Sequence, residues 1–318
     1  MSTITDDLDT AVEPTPPAPV EPTPPKAKKF KLPKLGVLFG AAFLTVLTLL
    51  AIFADYLPFI RYPDAKVKIN GHAKAYNLGP GWDAWFGTDK SAHDLFANCI
   101  YGARTTLQVG VFATLLGLIV GGVLGILAGY FRGWVDRAVS ILTDCLLALP
   151  PLLLAIILVN RLDAVKSTNS WLDWLDRKWQ IVLTLGVLAI APLARIVRAQ
   201  TMSLREREFV LAARSLGAHP SRVIFRELLP NLIPAMLTVA FTGLGILIAA
   251  EGALAFLGLG VEIGTPTWGK LIDQNRNKID DAWWATIFPC LMLFTTVLSF
   301  NLLGDALSRR FDIRQAGV

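Results

Sequence analysis

Six apolar segments, each close to the length that a helix needs to cross a bilayer, constrain this chain more than any other feature. The hydrocarbon core of a membrane is ~30 Å thick, so a spanning helix needs about 20 apolar residues. The segments cover residues 35–58, 105–130, 138–160, 179–199, 232–257 and 283–305. With 53% hydrophobic and 17% charged residues, the composition excludes an ordinary soluble domain. The sequence predicts an all-α integral membrane protein with six transmembrane helices.

Basic residues predict which way the spans run. Those that precede the first span are Lys26, Lys28, Lys29, Lys31 and Lys34. Lys and Arg next to a span favour the cytoplasmic side, so we expect the N-terminus in the cytoplasm. Six crossings return the C-terminus to the same side, where the basic residues are Arg309, Arg310 and Arg314. The net charge of +5 therefore indicates topology rather than nucleic-acid binding.

The spans divide the chain into predicted regions. These are a cytoplasmic tail (1–34), a first transmembrane helix (35–58) with an external segment (59–104), a five-helix core (105–305) with a cytoplasmic loop (200–231), and a cytoplasmic C-terminal tail (306–318). The Pro-rich tail has almost no large apolar side chains, which predicts disorder. The first apolar run starts too late and is too long for a signal peptide. The amphipathic stretch 86–110 is expected to lie along the outer membrane surface.

The charged stretch from Leu204 to Asn231 has the pattern of two helices joined by a sharp turn. Apolar residues recur at helical spacing on both sides of Gly217, which suits the end of the first helix. We expect Leu211 and Leu216 to belong to the apolar side of that helix. Pro220 fits the first position of the second helix, and Pro230 is expected to turn the chain back to the membrane.

The same stretch resembles the cytoplasmic loop of ABC importer permeases. The matching pattern is Ala-Ala, three residues, Gly and then Leu-Pro, at Ala212, Ala213, Gly217, Leu229 and Pro230. In that family the loop carries the coupling helix, which docks on the ATPase subunit. The resemblance implies that ATPase coupling uses Phe209, Val210, Ala212, Ala213, Arg214, Leu216, Gly217, Ala218, Leu229 and Pro230. A basic helix that only rests on anionic lipid is the alternative.

Two further motifs resemble the peptide and nickel importer branch of these permeases. Before the second predicted span, the matching residues are Gly87, Thr88, Asp89, Asp94, Gly102, Ala103 and Arg104. In and after the fifth span, they are Glu251, Phe256, Leu257, Gly258, Leu259, Gly260, Pro266, Trp268 and Gly269. The three motifs lie in the family's order over roughly the last 230 residues. The chain is thus similar to dipeptide and oligopeptide permeases.

The resemblance implies a type I importer fold and a membrane subunit that works within a larger complex. The implied partners are a second, homologous permease, two ABC ATPase subunits, an external substrate-binding protein, a peptide substrate and membrane lipid. The implied location is the bacterial inner membrane. ATP and magnesium would bind to the ATPase subunits, and we expect this chain to bind no cofactor and to be no enzyme by itself.

Few ionisable residues lie inside the predicted spans, and they are candidates for function. Asp144, Glu251 and Asp305 are in the third, fifth and sixth spans. A charge at bilayer depth costs at least ~2.5 kcal/mol on insertion scales, so it usually faces protein or water. We therefore predict that Asp144 and Glu251 line the translocation path. For Glu251, contact with a peptide amino group and a hydrogen bond between subunits both remain open.

Catalytic and metal-binding patterns are not found in the sequence. Residues 264–270 match the phosphate-binding loop until the next position, where Leu271 replaces the Ser or Thr that holds magnesium. This match is interpreted as chance. The histidines, His72, His93 and His219, are too scattered to bind one metal, and three widely spaced cysteines do not predict disulfides.

Small residues and prolines in the spans predict helix packing and helix bends. Gly117, Gly121, Gly125 and Gly129 recur every fourth residue, which favours the close approach of another helix. That interface could slide during transport or pack statically. Pro150 and Pro151 in the third span, and Pro192 in the fourth, are expected to bend their helices.

Three other functions are compatible with the sequence, of which a membrane anchor or scaffold without transport is disfavoured by the carboxylates within the spans. Nickel or glutathione importers share the motifs of the peptide branch, and their substrates are set largely by the binding protein. An ion-coupled secondary transporter is the alternative from another class, with Asp144, Glu251 and Asp305 as a proton relay. Such transporters are often built from inverted repeats, and the sequence has no evident one.

Overall fold

The computed structural model describes residues 34–69, 73–262 and 264–315, so the predicted N-terminal tail, apart from Lys34, lies outside the described residues. Helices account for most of it: α1 (Lys34–Phe53), α2 (Leu95–Phe131), α3 (Gly133–Ala148), α4 (Pro151–Thr168), α5 (Arg177–Arg205), α6 (Glu208–Ser215), α7 (Pro220–Arg222), α8 (Leu229–Leu254), α9 (Trp268–Asn275) and α10 (Trp284–Gln315). Short 3-10 turns cover Ala54–Tyr56, Ser170–Leu172 and Arg276–Lys278, and π-helical turns cover Val223–Leu228 and Ala255–Leu259. A two-residue hairpin pairs β1 (Lys68–Ile69) with β2 (Ala73–Lys74).

Among the described residues, five helical segments are long and apolar enough to cross a membrane. They are Leu35–Tyr56, Leu95–Phe131, Arg177–Arg205, Pro220–Leu259 and Trp284–Arg310. The bent pair formed by α3 and α4 makes a sixth if it is counted as one span. The all-α membrane fold is therefore confirmed, and the predicted number of six spans depends on this pair.

The predicted third span, 138–160, is wrong as a single helix. α3 and α4 meet at an angle of 94°, as expected where consecutive prolines, Pro150 and Pro151, lack the N–H groups that continue a helix. Leu149, the residue before them, is extended with φ −86° and ψ 138°, because a following proline disfavours helical backbone. The predicted bend at this place is confirmed. By contrast, α5 continues as one helix through Pro192.

The second span begins ten residues earlier than predicted, at Leu95 instead of residue 105. The carboxylate of Asp94 accepts hydrogen bonds from the backbone N–H groups of Phe96 (3.0 Å) and Ala97 (3.3 Å), which starts the helix there. Leu95 is 1% exposed. Residues 95–104 therefore belong to a buried helix, and the predicted surface orientation of this stretch is wrong. The polar side chains of this stretch suggested contact with the membrane surface, but they face other parts of the chain. The side-chain amide of Asn98, for example, donates to the Pro63 carbonyl.

The glycine strip of α2 packs directly on α5, as predicted. A Cβ atom built on Gly117 would lie 2.5 Å from the Cβ of Ala189, and one on Gly129 would lie 2.7 Å from the Cβ of Thr201. Contact partners advance together along both helices, so α2 and α5 run parallel. Only glycine allows the backbones to come this close. Whether the interface slides stays a prediction.

On the side of the molecule that holds the external segment, α9 folds back against α2 and α8. Trp268 is fully buried, and its indole N–H donates to the carbonyl of Cys99 at 2.9 Å. A Cβ on Gly269 would lie 2.6 Å from the Cα of Gly252, so α9 and α8 touch backbone to backbone. These contacts join the α9 segment firmly to the spans.

Candidate functional site

The predicted coupling residues lie in a short helical segment that follows α5, here called the α6–α7 segment (residues 206–228). α6 ends at Ser215, and Gly217, just beyond this end, has a φ of +77°, which glycine adopts readily but which is strained for other residues. The Gly217 N–H donates to the carbonyl of Arg214 at 2.9 Å, and the Ala218 N–H donates to the carbonyl of Ala213 at 3.1 Å. This pair of bonds is the Schellman motif. The predicted helix end at Gly217 is confirmed.

The second part of the segment leads without interruption into the next span. His219 precedes the helix, and its ring Nδ1 accepts from the backbone N–H of Ser221. Pro220 begins α7 as predicted. The predicted turn at Pro230 is wrong, because one helical segment continues from Pro220 to Leu259. Pro230 occupies the first turn of α8, where a missing N–H is tolerated.

One face of the α6–α7 segment is fixed to the ends of the membrane helices. Val210, Val223 and Leu228 are fully buried and pack in one cluster with Tyr130 of α2 and Val197 of α5. Burying a Val or Leu side chain contributes about 1.5–3 kcal/mol. The segment is therefore held against α2 and α5 and should move with them.

The opposite face is apolar and exposed in this subunit. Phe209 is 40% exposed, Leu211 50%, Phe225 69% and Leu216 88%. Leu211 and Leu216 therefore belong to an apolar side of the helix, as predicted, but this side is exposed in the subunit. Large apolar side chains in a charged stretch, at a surface that also carries Arg207 and Glu208, are typical of an interaction site.

The other predicted coupling residues divide between the two faces. Ala212, Gly217 and Pro230 are exposed, whereas Ala213, Arg214, Ala218 and Leu229 are half-buried. Sequence reasoning missed Phe225 and Leu211 as members of the outward face. The feature of the sequence that could have identified them was their apolar character within a charged segment.

Tyr130 at the end of α2 is a further residue that sequence reasoning missed. The guanidinium of Arg214 lies 4.7 Å from the centre of its ring, and that of Arg205 lies 5.9 Å away. Arg132, two residues beyond Tyr130, forms an ion pair with Glu206. Cation–π contacts contribute roughly 0.5–2 kcal/mol each. They link α6 to α2 in addition to the apolar cluster.

Glu251, a predicted path residue, is fully buried where α8, α2 and α9 meet. The hydroxyl of Thr106 donates to its Oε2 at 3.4 Å, and Oε1 has no hydrogen-bond partner among the described residues. The same Thr106 hydroxyl accepts from the backbone N–H of Trp268 at 3.4 Å. Within this subunit, Glu251 therefore contacts its own chain and no open surface.

Replacement of Glu251 tests its position. We expect Glu251→Gln to keep folding and uptake within about threefold of the parent, because an amide of equal size keeps the contact with Thr106. Glu251→Lys should prevent folding, because it buries an unpaired ammonium group. Uptake assays and gel filtration of the purified protein measure both effects. Loss of uptake in a well-folded Glu251→Gln protein would instead support a role in the path.

Asp144, the other predicted path residue, lies on the surface of the subunit in α3. Its carboxylate is paired with the Nη2 of Arg195 in α5, and their side chains are 63% and 52% exposed. Nearer to the α6 end, Asp136 pairs with Arg198 in a more buried contact. Asp305 in α10 is exposed. Sequence reasoning identified Asp144 but missed its partner Arg195.

The segment that matched a phosphate-binding loop has another structure. It follows a π-helical turn, and Thr267 begins α9 by accepting the N–H of Lys270 at 3.3 Å. The ammonium of Lys270 donates to the carbonyls of Glu262 and Thr265. Burial lowers the pKa of Lys270 from its ordinary value. The lysine therefore stabilises its own loop.

Comparisons with known proteins give one consistent result. Residues 121–313 match the profile of the family described as "binding-protein-dependent transport system inner membrane component". The dipeptide transport system permease protein of Alkalihalophilus pseudofirmus is 35% identical over 285 residues, which cover 90% of this chain and 88% of that protein. The glutathione transport system permease protein of Escherichia coli O157:H7 is 34% identical over 280 residues, which cover 87% and 86%.

Solved structures agree in fold. The methionine ABC transporter MetNI, in an inward-facing conformation, has a chain that superposes with a TM-score of 0.55 at 19% identity, over 67% of this chain and 96% of that one. An amino acid ABC transporter crystallised with histidines gives a TM-score of 0.52 at 18% identity, over 68% and 94%. These levels of identity support the fold alone.

Proposed function

The chain belongs to the family of binding-protein-dependent transport system inner membrane components, and from this premise we propose that it imports di- or oligopeptides with energy from separate ATPase subunits. It is a multi-pass inner membrane protein with the fold of ABC importer permeases. The observation that carries the proposal is the outward apolar face of the α6–α7 segment, which stands on helices that reach across the membrane.

Peptides are the substrate class that the relatives support best. The dipeptide permease relative matches nearly the whole chain. Glutathione, itself a short peptide, is the second candidate because its permeases match at almost the same identity. Family membership disfavours the ion-coupled secondary transporter, since members of this family work with a binding protein.

The partners follow from the same proposal. A second, homologous permease would complete the path, two ABC ATPase subunits would dock on the α6–α7 segment, and an external binding protein would deliver the substrate. The basic residues beside the first span and at the C-terminus support a cytoplasmic location for both termini. That orientation would also put the α6–α7 segment in the cytoplasm, where ATP is available.

Force would then travel through packed contacts. When the ATPase subunits close on ATP, they would move Phe209 and Leu216, and Val210 and Tyr130 would pass this movement to α2 and α5. The spans would rock as rigid bodies and open the path outward, and hydrolysis would reset them. Asp144, exposed at membrane depth, would face that path, whereas burial of Glu251 favours a structural role for it.

Reconstitution tests the proposed function. The complex would be purified from membranes through a tag on this chain and placed in proteoliposomes with ATP on the ATPase side. We expect a labelled dipeptide to accumulate only with ATP, the ATPase subunits and the binding protein present. Preferential accumulation of glutathione would select the second candidate. Accumulation driven by a proton gradient without the ATPase would contradict the proposal.

Leu216 provides the sharpest test of the docking face. Because its side chain is 88% exposed, Leu216→Asp should leave the fold intact and place an unpaired charge in the ATPase interface. We expect at least a tenfold loss of ATPase subunits in pull-downs, since truncated central interface residues commonly cost ~2 kcal/mol or more. Ile279→Asp is the matched control, because Ile279 is also exposed, at 46%, and lies far along the chain. Equal recovery of ATPase with both variants would disprove the docking face.

A further inference from the structure

The ion pair between Asp144 and Arg195 is exposed on the surface of the subunit and lies within two of the predicted spans. Arg195 lies ten residues before Arg205, the end of α5, which is ~15 Å along a helix. Asp144 lies eleven residues after Gly133, the start of α3, or ~16 Å. Both charges lie within the predicted spans 179–199 and 138–160, Arg195 four residues (~6 Å) and Asp144 six residues (~9 Å) from the nearer end.

Charged side chains at this depth face protein or water, because hydrocarbon does not solvate them. Yet both side chains are more than half exposed in the subunit. The exposed surface around the pair is mixed: Pro192 and Ala199 are exposed on α5, and so are the apolar side chains of Ile196 on α5 and Ile141 on α3. Because the pair is charged, this side of α3 and α5 faces either a partner subunit or a water-filled path in the assembled transporter.

A second ion pair nearby behaves differently. Asp136 accepts two hydrogen bonds from Arg198, one of them 2.8 Å long, and the two side chains are only 21% and 33% exposed. This pair is bidentate and shielded, as structural ion pairs are. Asp144 and Arg195 share one contact and face outward, so their pairing is weaker and can open.

We propose that Arg195 and Asp144 form a substrate contact in the translocation path that binds zwitterions, with Arg195 binding the carboxylate of the substrate and Asp144 its ammonium group. The proposal rests on the proposed function, because it assumes that a peptide passes this surface. It assigns to Arg195 a role in recognising the carboxyl end of the peptide.

The chemistry of the exchange supports this assignment. When a zwitterion enters between the two side chains, its carboxylate pairs with Arg195 and its ammonium group pairs with Asp144. Each of these side chains therefore exchanges one oppositely charged partner for another, and neither is left unpaired in a poorly hydrated space. The guanidinium group presents planar N–H donors that match a carboxylate. The pair of Asp144 and Arg195 carries one charge of each sign, so it suits a substrate that is neutral overall but carries both charges.

The test compares peptides that differ at one end. The complete reconstituted complex would import a free dipeptide, its C-terminally amidated form and its N-acetylated form. In Arg195→Gln, we expect the ratio of free to amidated uptake to fall roughly tenfold, because only the free peptide loses a charge-assisted contact. In Asp144→Asn, the ratio of free to acetylated uptake should fall similarly. Any preference of the binding protein among the three peptides cancels when the uptake ratios of the variants are compared, because every variant is assayed with the same binding protein.

Two controls separate recognition from structure. Arg198→Gln, at the shielded pair, should lower the uptake of all three peptides by the same factor. The exchanged variant Asp144→Arg/Arg195→Asp keeps an ion pair but reverses its polarity, and we expect uptake of the free dipeptide to stay at least fivefold below the parent. The amount of folded protein would be measured by gel filtration for each variant.

Each outcome decides between the two proposals. Unchanged ratios in Arg195→Gln and Asp144→Asn, or full rescue in the exchanged variant, would overturn the substrate contact and indicate a pair between permease subunits. In both cases the parent complex still imports peptide, so the proposed function stands. Failure of the parent complex to import any of the peptides with ATP would overturn the proposed function and this inference with it.

Discussion

Gly217→Pro is expected to abolish ATP-driven uptake while the permease still inserts in the membrane. Proline fixes φ near −65°, whereas Gly217 has φ +77°. The variant would also lose the N–H that donates to the carbonyl of Arg214 at 2.9 Å. Both losses fall on the turn that joins α6 to α7. The outward face would lose its shape, and uptake should fall at least 100-fold, which corresponds to about 2.7 kcal/mol of lost coupling.

The measurement separates coupling from folding. ATP hydrolysis and dipeptide uptake would be assayed in the same proteoliposomes, and hydrolysis without uptake is the expected signature. Gly217→Ala keeps the N–H and adds only the strain of a left-handed residue, roughly 1–2 kcal/mol, so it should retain part of the uptake. Gly264→Ala is the matched control, because Gly264 has φ +93° and open space around it, but lies outside the α6–α7 segment. Normal uptake in Gly217→Pro would disprove the role of this turn.

A bulky charge at Ala213 should act similarly. Ala213 is half-buried, and its carbonyl accepts the Ala218 N–H in the same turn.

The notable feature of Ala213 in the sequence was its spacing to Gly217, and that spacing was sufficient to predict the end of α6. Local backbone rules such as these can be read from a sequence because they depend on a few adjacent residues.

Contacts between distant elements could not be predicted in this way. The guanidinium groups of Arg205 and Arg214 lie 5.9 and 4.7 Å from the centre of the Tyr130 ring. Both arginines are more than 70 residues away from Tyr130 in the sequence. Arg195 likewise contacts a residue that is distant in the sequence, Asp144, because α3 folds back on α5. One member of such a pair can be suspected from its charge, but the partner becomes visible only in the fold.

The errors in the spans have a common cause. Hydropathy locates apolar stretches but does not distinguish lipid from protein as the surroundings. Residues 95–104 are polar enough to suggest a membrane surface, yet Asn98 and Tyr101 form hydrogen bonds within the chain. The third span is mostly apolar, yet two prolines divide it into helices at 94°. Composition fixed the number of apolar stretches, whereas backbone chemistry and packing decided their shape.

Side chains added to the glycine strip of α2 are expected to destabilise the protein more than most single substitutions. A Cβ on Gly125 would lie 2.6 Å from the carbonyl oxygen of Ala194 and 2.9 Å from the backbone nitrogen of Arg198. Backbone atoms cannot yield without moving α5 as a whole. Gly125→Val should therefore cost at least the 1–3 kcal/mol typical of overpacking, and we expect most of the protein to aggregate on solubilisation.

Gly122 supplies the matched control on the same helix. A Cβ there would lie 2.7 Å from Cε of Met236 alone, and a methionine end can change rotamer at little cost. Gly122→Ala should therefore retain nearly all of the monodisperse peak in detergent, whereas Gly125→Val should lose it. The comparison would be made by gel filtration and thermal melting of the two variants beside the parent. Equal stability of both would mean that α2 and α5 lie further apart than the described backbone places them, and force from the α6–α7 segment could then not pass rigidly between them.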